Sequence, residues 1–407
     1  MSVFRYALLC CLFYLPAAAQ APVDLHGYNN KSGVKAQAAN GLITLTWPAG
    51  SGRHVRMVLD LEAERPLIKS LGWQAGNSWR QIASGLDPVF FLTTGKRDLI
   101  SQNGWNIFFD KTGKLPRVTY AVQWRKDSAA VNSDGTRTVI RIAGATAGPF
   151  HGALEITLFE GSGLFNVAAV MSTEKDSTAI LYDAGLTATH IPWQQVSWAD
   201  PRGSMHSVPA ANSLNATRVA VKYRTIIGES KGGSLVIFPA PHQFFYPLDN
   251  CFNQSFTWYG NNYNPAAPAF GIGIRQEPDG DKRWVPWFNA PPGTQQRLHF
   301  FCLMGGENAE LTLKKVRKYT HDDAYVPLPG YYTMCSHFHQ EHTQDVLDKR
   351  PLPEIPEFVT AFKNTGVNIV HLGEFHGPGH PRGPEDKRFL EQQTLFRECA
   401  RLSKGNF

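Results

Sequence analysis

No stretch of this sequence is expected to cross a membrane: the apolar stretch near its start, Tyr6 to Leu15, offers about ten residues against the ~20 that a spanning helix needs. Cysteine is scarce. Of six cysteines in 407 residues, Cys10 and Cys11 fall in that first stretch and only Cys251, Cys302, Cys335 and Cys399 remain. Four are too few for a disulfide scaffold. One bridge, between Cys251 and Cys302, is allowed in an oxidising compartment, and buried free thiols are the alternative. A surplus of one charge is also missing. The formal net charge is +6, with no basic run or nucleic-acid motif, so the charges read as a solvated surface and nucleic acid is not an expected partner. No repeat of fixed period is evident.

What is present points to a turn-rich globular chain. Its 36 Gly and 27 Pro suggest many turns rather than a helical bundle, and its 407 residues suffice for two or three domains. The opening MSVFRYALLCCLFYLPAAAQAP has one positive charge at Arg5, an apolar centre and small residues at Ala17 to Ala19. That is the pattern of a secretory signal peptide over residues 1–19. The chain is therefore expected to be secreted or periplasmic, with Gln20 leading the mature form and without stable membrane insertion.

From about residue 40 to 305 the apolar pattern has the period of strands. Ile43, Leu45 and Trp47 alternate with Thr44 and Thr46, and Val55, Met57, Leu59 and Leu61 repeat the pattern. Residues 153–159 and 164–172 flank Glu160-Gly-Ser-Gly163 as a hairpin, and Asn132-Ser-Asp-Gly135 marks another. Residues 234–238, 270–274 and 296–303 add strands. So many strands without intervening helices predict a large antiparallel sandwich over residues 20–325. Residues 309–320 then read as a helix with Leu313 and Val316 inward and a basic, solvated face of Lys314, Lys315, Arg317 and Lys318. A linker at 326–330 follows, rich in proline. Beyond it, strand (331–339), helix (356–364), strand (367–372) and helix (385–404) give the βα alternation of a parallel sheet or barrel.

The second unit holds a histidine constellation. Seven of fourteen histidines lie between His321 and His380. In CSHFHQEHT, residues 335–343, Cys335, His337 and His339 share the i, i+2, i+4 face of a strand, and imidazoles so spaced can converge on one cation. The stretch HLGEFHGPGH, residues 371–380, leaves the next strand at its C-terminal end, which places Glu374 and His376 on a loop above it. Neighbouring strands of a βα barrel share that mouth, so His337, His339, Glu374 and His376 are the expected metal ligands, with Glu374 also positioning a water. His342, His371 and His380 are weaker candidates. His321 reads as structural.

These motifs resemble the opening of the polymerase and histidinol phosphatase (PHP) family of metal-dependent hydrolases. That family begins with Asp-x-His-x-His and places an Asp-His pair after the next strand; here Cys335 stands at the first position, Gln340 follows the second histidine, and Phe375 separates Glu374 from His376. The resemblance covers residues 331–407 and implies a zinc or manganese site acting on a phosphoester. Two βα units supply two of the about seven or eight strands such a barrel needs. Residues 331–407 are accordingly expected to be the truncated start of that domain, with further ligands beyond Phe407 and the whole sequence the N-terminal part of a longer protein. The preceding segment resembles a galactose-mutarotase-type supersandwich, in stretches such as GSGLFNV (161–167) and ILYDAG (180–185).

Residues 244–288 are dense in aromatics mixed with asparagines, a composition that suits sugar stacking as well as core packing. Trp258, Tyr259, Trp284 and Trp287 are the candidates for carbohydrate contact. The fold expected is thus mainly β: a large antiparallel β-supersandwich followed by the first two βα units of an incomplete α/β barrel of PHP or TIM type. The function expected is that of an exported metal-dependent hydrolase with a carbohydrate-binding type of sandwich. The alternatives are a non-catalytic carbohydrate-binding protein and a sugar epimerase or lyase working in the sandwich cleft.

Overall fold

In the strand Leu42–Pro48, Ile43, Leu45 and Trp47 are wholly buried while the residues between them are half-buried, and His54–Asp60 repeats this with Val55, Met57 and Leu59. A pleated strand turns successive side chains to opposite faces, so this alternation commits each strand to a sheet with one face on a core. The computed structural model describes residues 21–96, 117–241, 255–276, 288–324, 328–339, 345, 347–349, 357–376 and 387–402. The expected signal peptide, residues 1–19, lies outside the described residues.

Two sheets, each of eleven strands among the described residues, form the sandwich. The first is centred on Phe150–Phe159, Leu164–Ser172, Gln296–Gly305 and Gly233–Phe238, which neighbour one another in that order. The second runs from Thr217–Val219 through Thr257–Gly260, Phe270–Ile274, Thr178–Ala188 and Ser78–Lys96 to the meander of Ile68–Ala75, His54–Asp60, Leu42–Pro48 and Lys35–Ala39. The pairs within both are antiparallel, except for the short parallel contact of Val23–Asp24 with Ala129–Asp134. The expected hairpins form where predicted: Leu158 pairs with Phe165 across Glu160–Gly163, and Asp134 pairs with Arg137 beside Gly135.

The inner faces meet in one large core to which the second sheet gives Trp47, Phe90 and Leu186 and the first gives Ile156, Phe165 and Phe300. Burying side chains of this size is worth about 1.5–3 kcal/mol each. Cys302 is buried in this core, and burial pushes its thiol well above the usual range. Its candidate bridge partner, Cys251, lies outside the described residues.

The helix Ala309–Thr320 packs Leu313 and Val316 into a second cluster beneath the first sheet. His321 closes it in a left-handed conformation (φ 51°), its backbone N–H donating to the carbonyl of Arg317. That is the structural role expected for this histidine. The next turn is fastened back by Arg224, whose Nε donates to Asp323 at 2.6 Å with both side chains largely buried.

Residues 333–402 hold the strands Thr333–His339 and Ile369–His376 in a two-stranded parallel sheet, with the helices Glu357–Asn364 and Lys387–Leu402 following each strand in turn. This is the βα alternation that the sequence predicts. A barrel, complete or incomplete, is not what the described residues show: they show two βα units. Among the described residues no helix is long and apolar enough to cross a membrane.

Candidate functional site

The strand Thr178–Ala188 lies inside the second sheet between Phe270–Ile274 and Ser78–Lys96. Tyr182, Ala184 and Leu186 point into the core. By strand parity Asp183 faces the other way, onto the outer face of the sheet. There its Oδ2 accepts a hydrogen bond from the Tyr263 hydroxyl at 2.6 Å, and its Oδ1 accepts one from the backbone N–H of Gln276 at 2.8 Å. The Gln276 side chain is fixed in turn, Oε1 accepting the Tyr182 N–H at 2.8 Å, while its Nε2 is buried with no hydrogen-bond partner among the described residues.

Two arginines supply opposite charge. Arg275 is 1% exposed and donates to the Ser255 carbonyl at 2.8 Å. Arg218 sits directly across the ladder from Trp258. Burial raises the Asp183 carboxyl above the usual carboxylate range, against the pull of Arg275, Tyr263 and Gln276 towards the ionised form. Burial and the neighbouring Asp183 charge push the Tyr263 hydroxyl well above its usual value, so it remains a donor at neutral pH.

An aromatic floor carries this pair. Tyr263 stacks on Trp258 with centroids 4.0 Å apart and planes 10° from parallel, and Phe91 meets it at 5.8 Å. Trp258 lies flat because Gly271 and Gly273 beneath it have no side chain: a Cβ there would sit 2.7 and 2.5 Å from the indole. The site thus combines a carboxyl of raised pKa, a fixed hydroxyl donor, a buried guanidinium and a half-buried ring.

The structure separates the residues that the sequence singled out for sugar contact. Trp258 is 0% exposed, and its indole N–H donates to Ile274; it serves as the support under Tyr263 rather than as a free stacking face. Tyr259, next in the same strand, has the opposite parity and belongs to the core, stacked on Trp198 at 5.6 Å. The two therefore do not converge on one ligand. Trp284 and Trp287 lie outside the described residues. The residues missed were Asp183, Tyr263, Arg275 and Gln276. A lone carboxylate inside the apolar run ILYDAGL, and an Arg-Gln pair directly after FGIGI, were the available signals.

The histidine motif also needs correction in detail. Glu374 and His376 are not on a loop above the second strand; they lie within it. His337 pairs with Gly373, a register shift follows, and Phe338 and His339 pair with Phe375 and His376. The shift absorbs Glu374 as an extra residue, which lets the strand run on to His376. Cys335 pairs with His371 further back. No group of three or more His, Cys, Asp or Glu placed to hold a metal occurs among the described residues, to which the side chains of His337, His339, Glu374 and His376 do not belong.

No protein-family model matches the sequence, and no curated protein matches it. Solved structures do. A protein in the glycosyl hydrolase family 38 from Enterococcus faecalis is 12% identical at a TM-score of 0.34, over 72% of this chain and 33% of that one. An alpha-mannosidase from Enterococcus faecalis V583 is 12% identical at 0.33, over 66% of this chain and 30% of that one. A galactose mutarotase related enzyme from Lactobacillus acidophilus is 11% identical at 0.31, over 67% of this chain and 97% of that one. The chain spans about a third of the length of the first two. At these TM-scores the likeness is loose and carries over no site residue.

Proposed function

We propose that residues 20–325 are a carbohydrate-acting sandwich whose site is the outer face around Asp183, and that Asp183 carries the proton that the site gives or takes. The observation that supports this is the 2.6 Å bond from Tyr263 to a carboxyl raised by burial, on a ring stacked over Trp258. A flat ring face suits the apolar face of a pyranose, and convergent polar groups select its hydroxyls. A carboxyl shifted towards neutrality exchanges protons with such hydroxyls more readily than an ordinary surface aspartate. Arg275 holds the ionised form within reach, so the group is not locked neutral.

Sugar epimerisation or mutarotation at this face is the finer reading, with Asp183 as one of the proton carriers. Polarimetry on a panel of monosaccharides, with calorimetric binding of the same sugars, tests it. Asp183→Asn is expected to lower turnover about 10²- to 10⁴-fold while sugar binding persists. Tyr263→Phe keeps the ring and is expected to preserve binding but shift the pH profile. Sugars bound and turned over equally by Asp183→Asn and the unaltered chain would remove Asp183 from the site.

A second reading, a metal-dependent phosphoester hydrolase at residues 331–402, is supported by the parallel register that sets His337 and His339 beside Gly373 and His376. Imidazoles with one carboxylate suit zinc or manganese. His337, His339, Glu374 and His376 would hold the ion, whose chemistry is to polarise a phosphoryl oxygen and acidify a bound water. Metal analysis of purified protein checks it: His337→Ala with His339→Ala is expected to lose the ion. Export is proposed on the N-terminal segment, and a mature chain beginning at Gln20 by mass spectrometry is the expected result.

A further inference from the structure

The basic face of the helix Ala309–Thr320 is not uniformly solvated. Arg317 donates through Nε to Asp322 at 2.5 Å and covers the Tyr223 ring. Lys315 and Lys318 line a pocket of about 410 Å³ between this helix, the end of the strand Gln296–Gly305 and the turn at residues 49–53. Arg53 lines it from that turn, and Trp73 and Tyr319 supply ring surface. The volume is in the range of small-molecule sites, roughly 300–1,000 Å³.

The lining is held in place before any ligand arrives. Glu307 Oε1 accepts from both Arg53 (2.9 Å) and Lys315 (2.8 Å), while its Oε2 is buried with no hydrogen-bond partner among the described residues. Burial would raise this carboxyl, but the hydrogen bonds and charges of Lys315 and Arg53 outweigh it and hold it ionised. Trp73 is pinned by its indole N–H, which donates to Gly232, and by Gly306, where a Cβ would be 2.4 Å from the ring. Tyr319, 42% exposed, is tied to Ser162 at 2.7 Å. Three cations face one carboxylate, and Lys318 has no ion-pair partner among the described residues. The pocket therefore has two positive charges in excess beside the exposed Tyr319 ring, with Arg53 held 5.1 Å over the Trp73 ring.

We infer that this pocket binds an acidic saccharide unit, its carboxylate or sulfate between Lys318, Lys315 and Arg53 and its ring against Tyr319. A bare inorganic anion would leave the rings and most of the volume unused. A neutral sugar would make no use of the two excess positive charges. The inference takes the carbohydrate reading for its ligand class but uses none of the Asp183 site, so the two fail separately.

The test is calorimetric binding by the full chain of four probes: a short oligogalacturonide, its methyl ester, a sulfated galactan oligosaccharide and inorganic sulfate. The oligogalacturonide or the sulfated oligosaccharide is expected to bind, more weakly at higher salt, with the methyl ester and free sulfate much weaker. Which acidic probe prevails distinguishes carboxylate from sulfate. Lys315→Gln with Lys318→Gln is expected to weaken acidic-probe binding about tenfold, the scale for two partly exposed charges. Lys314→Gln, outside the pocket, and Asp183→Asn are expected to leave it unchanged. Equal binding of the methyl ester, equal binding of inorganic sulfate, indifference to the double substitution, or no binding of either acidic probe would each overturn the inference.

Discussion

Lys126 has a left-handed backbone (φ 54°) that turns its side chain inward, where it is 5% exposed. Its ammonium donates to the carbonyls of Glu62 (2.9 Å), Asp60 (3.2 Å) and Arg65, so one cation gathers the loop after the strand His54–Asp60. Replacing it by Met leaves three carbonyls without that donor and is expected to cost about 3 kcal/mol, read as a lower urea midpoint. His299 makes a second prediction at this scale. Burial, with the Arg297 charge beside it, lowers its pKa from 6.5 to about 4, and the Asn166 amide donates to its Nδ1 at 3.0 Å, as suits a neutral ring. Unfolded chains take up that proton near pH 6.5, so the contribution to stability is complete above that value and is lost as the pH falls towards 4. His299→Gln should flatten the fall in urea midpoint between pH 7 and 4.5. An unchanged fall would place the acid sensitivity elsewhere.

Helix and strand units show a different balance between local signal and context. The helix Ala309–Thr320 starts at Asn308, whose side chain accepts the Leu311 N–H at 3.0 Å, and Glu229 from the strand Ile226–Ser230 accepts the Ala309 N–H at 2.8 Å. Asn308→Ala is expected to cost about 1 kcal/mol by thermal unfolding, and Asn308→Asp to restore most of it. This helix was legible in the sequence because its inward residues, Leu313 and Val316, recur at helical spacing. The strands at 42–48, 54–60, 153–159 and 164–172 were legible for the matching reason, the period of two. The site was not. Trp258 and Tyr259 looked like partners in the sequence, yet one step along a strand sends their rings to opposite faces. Asp183 and Tyr263 meet only because Thr178–Ala188 pairs with Phe270–Ile274, a contact that no local pattern announces. In the second unit both strands were legible, but the register shift after His337 was not, since it depends on pairing with a strand more than thirty residues on.

At the scale of the whole molecule, the large buried apolar clusters among the described residues draw their buried members from Val34 to Val316. A linker that carries Pro327 and Pro329 separates the sandwich from the βα units, and the two parts are expected to unfold in separate transitions. Metal provides the discriminating handle. An ion held by His337, His339, Glu374 and His376 stabilises only the folded state of the part that contains them, by about 2.7 kcal/mol when present at a hundred times its dissociation constant. Differential scanning calorimetry of the full chain, with zinc or manganese and then with a chelator, should move the lower transition and leave the sandwich transition in place. His337→Ala with His339→Ala should abolish that movement without shifting the sandwich. A single transition that moves as a whole with metal would show instead that the βα units and the sandwich unfold together. A lower transition indifferent to both metals would end the case for the histidine site while leaving the Asp183 face and the Lys318 pocket to their own tests.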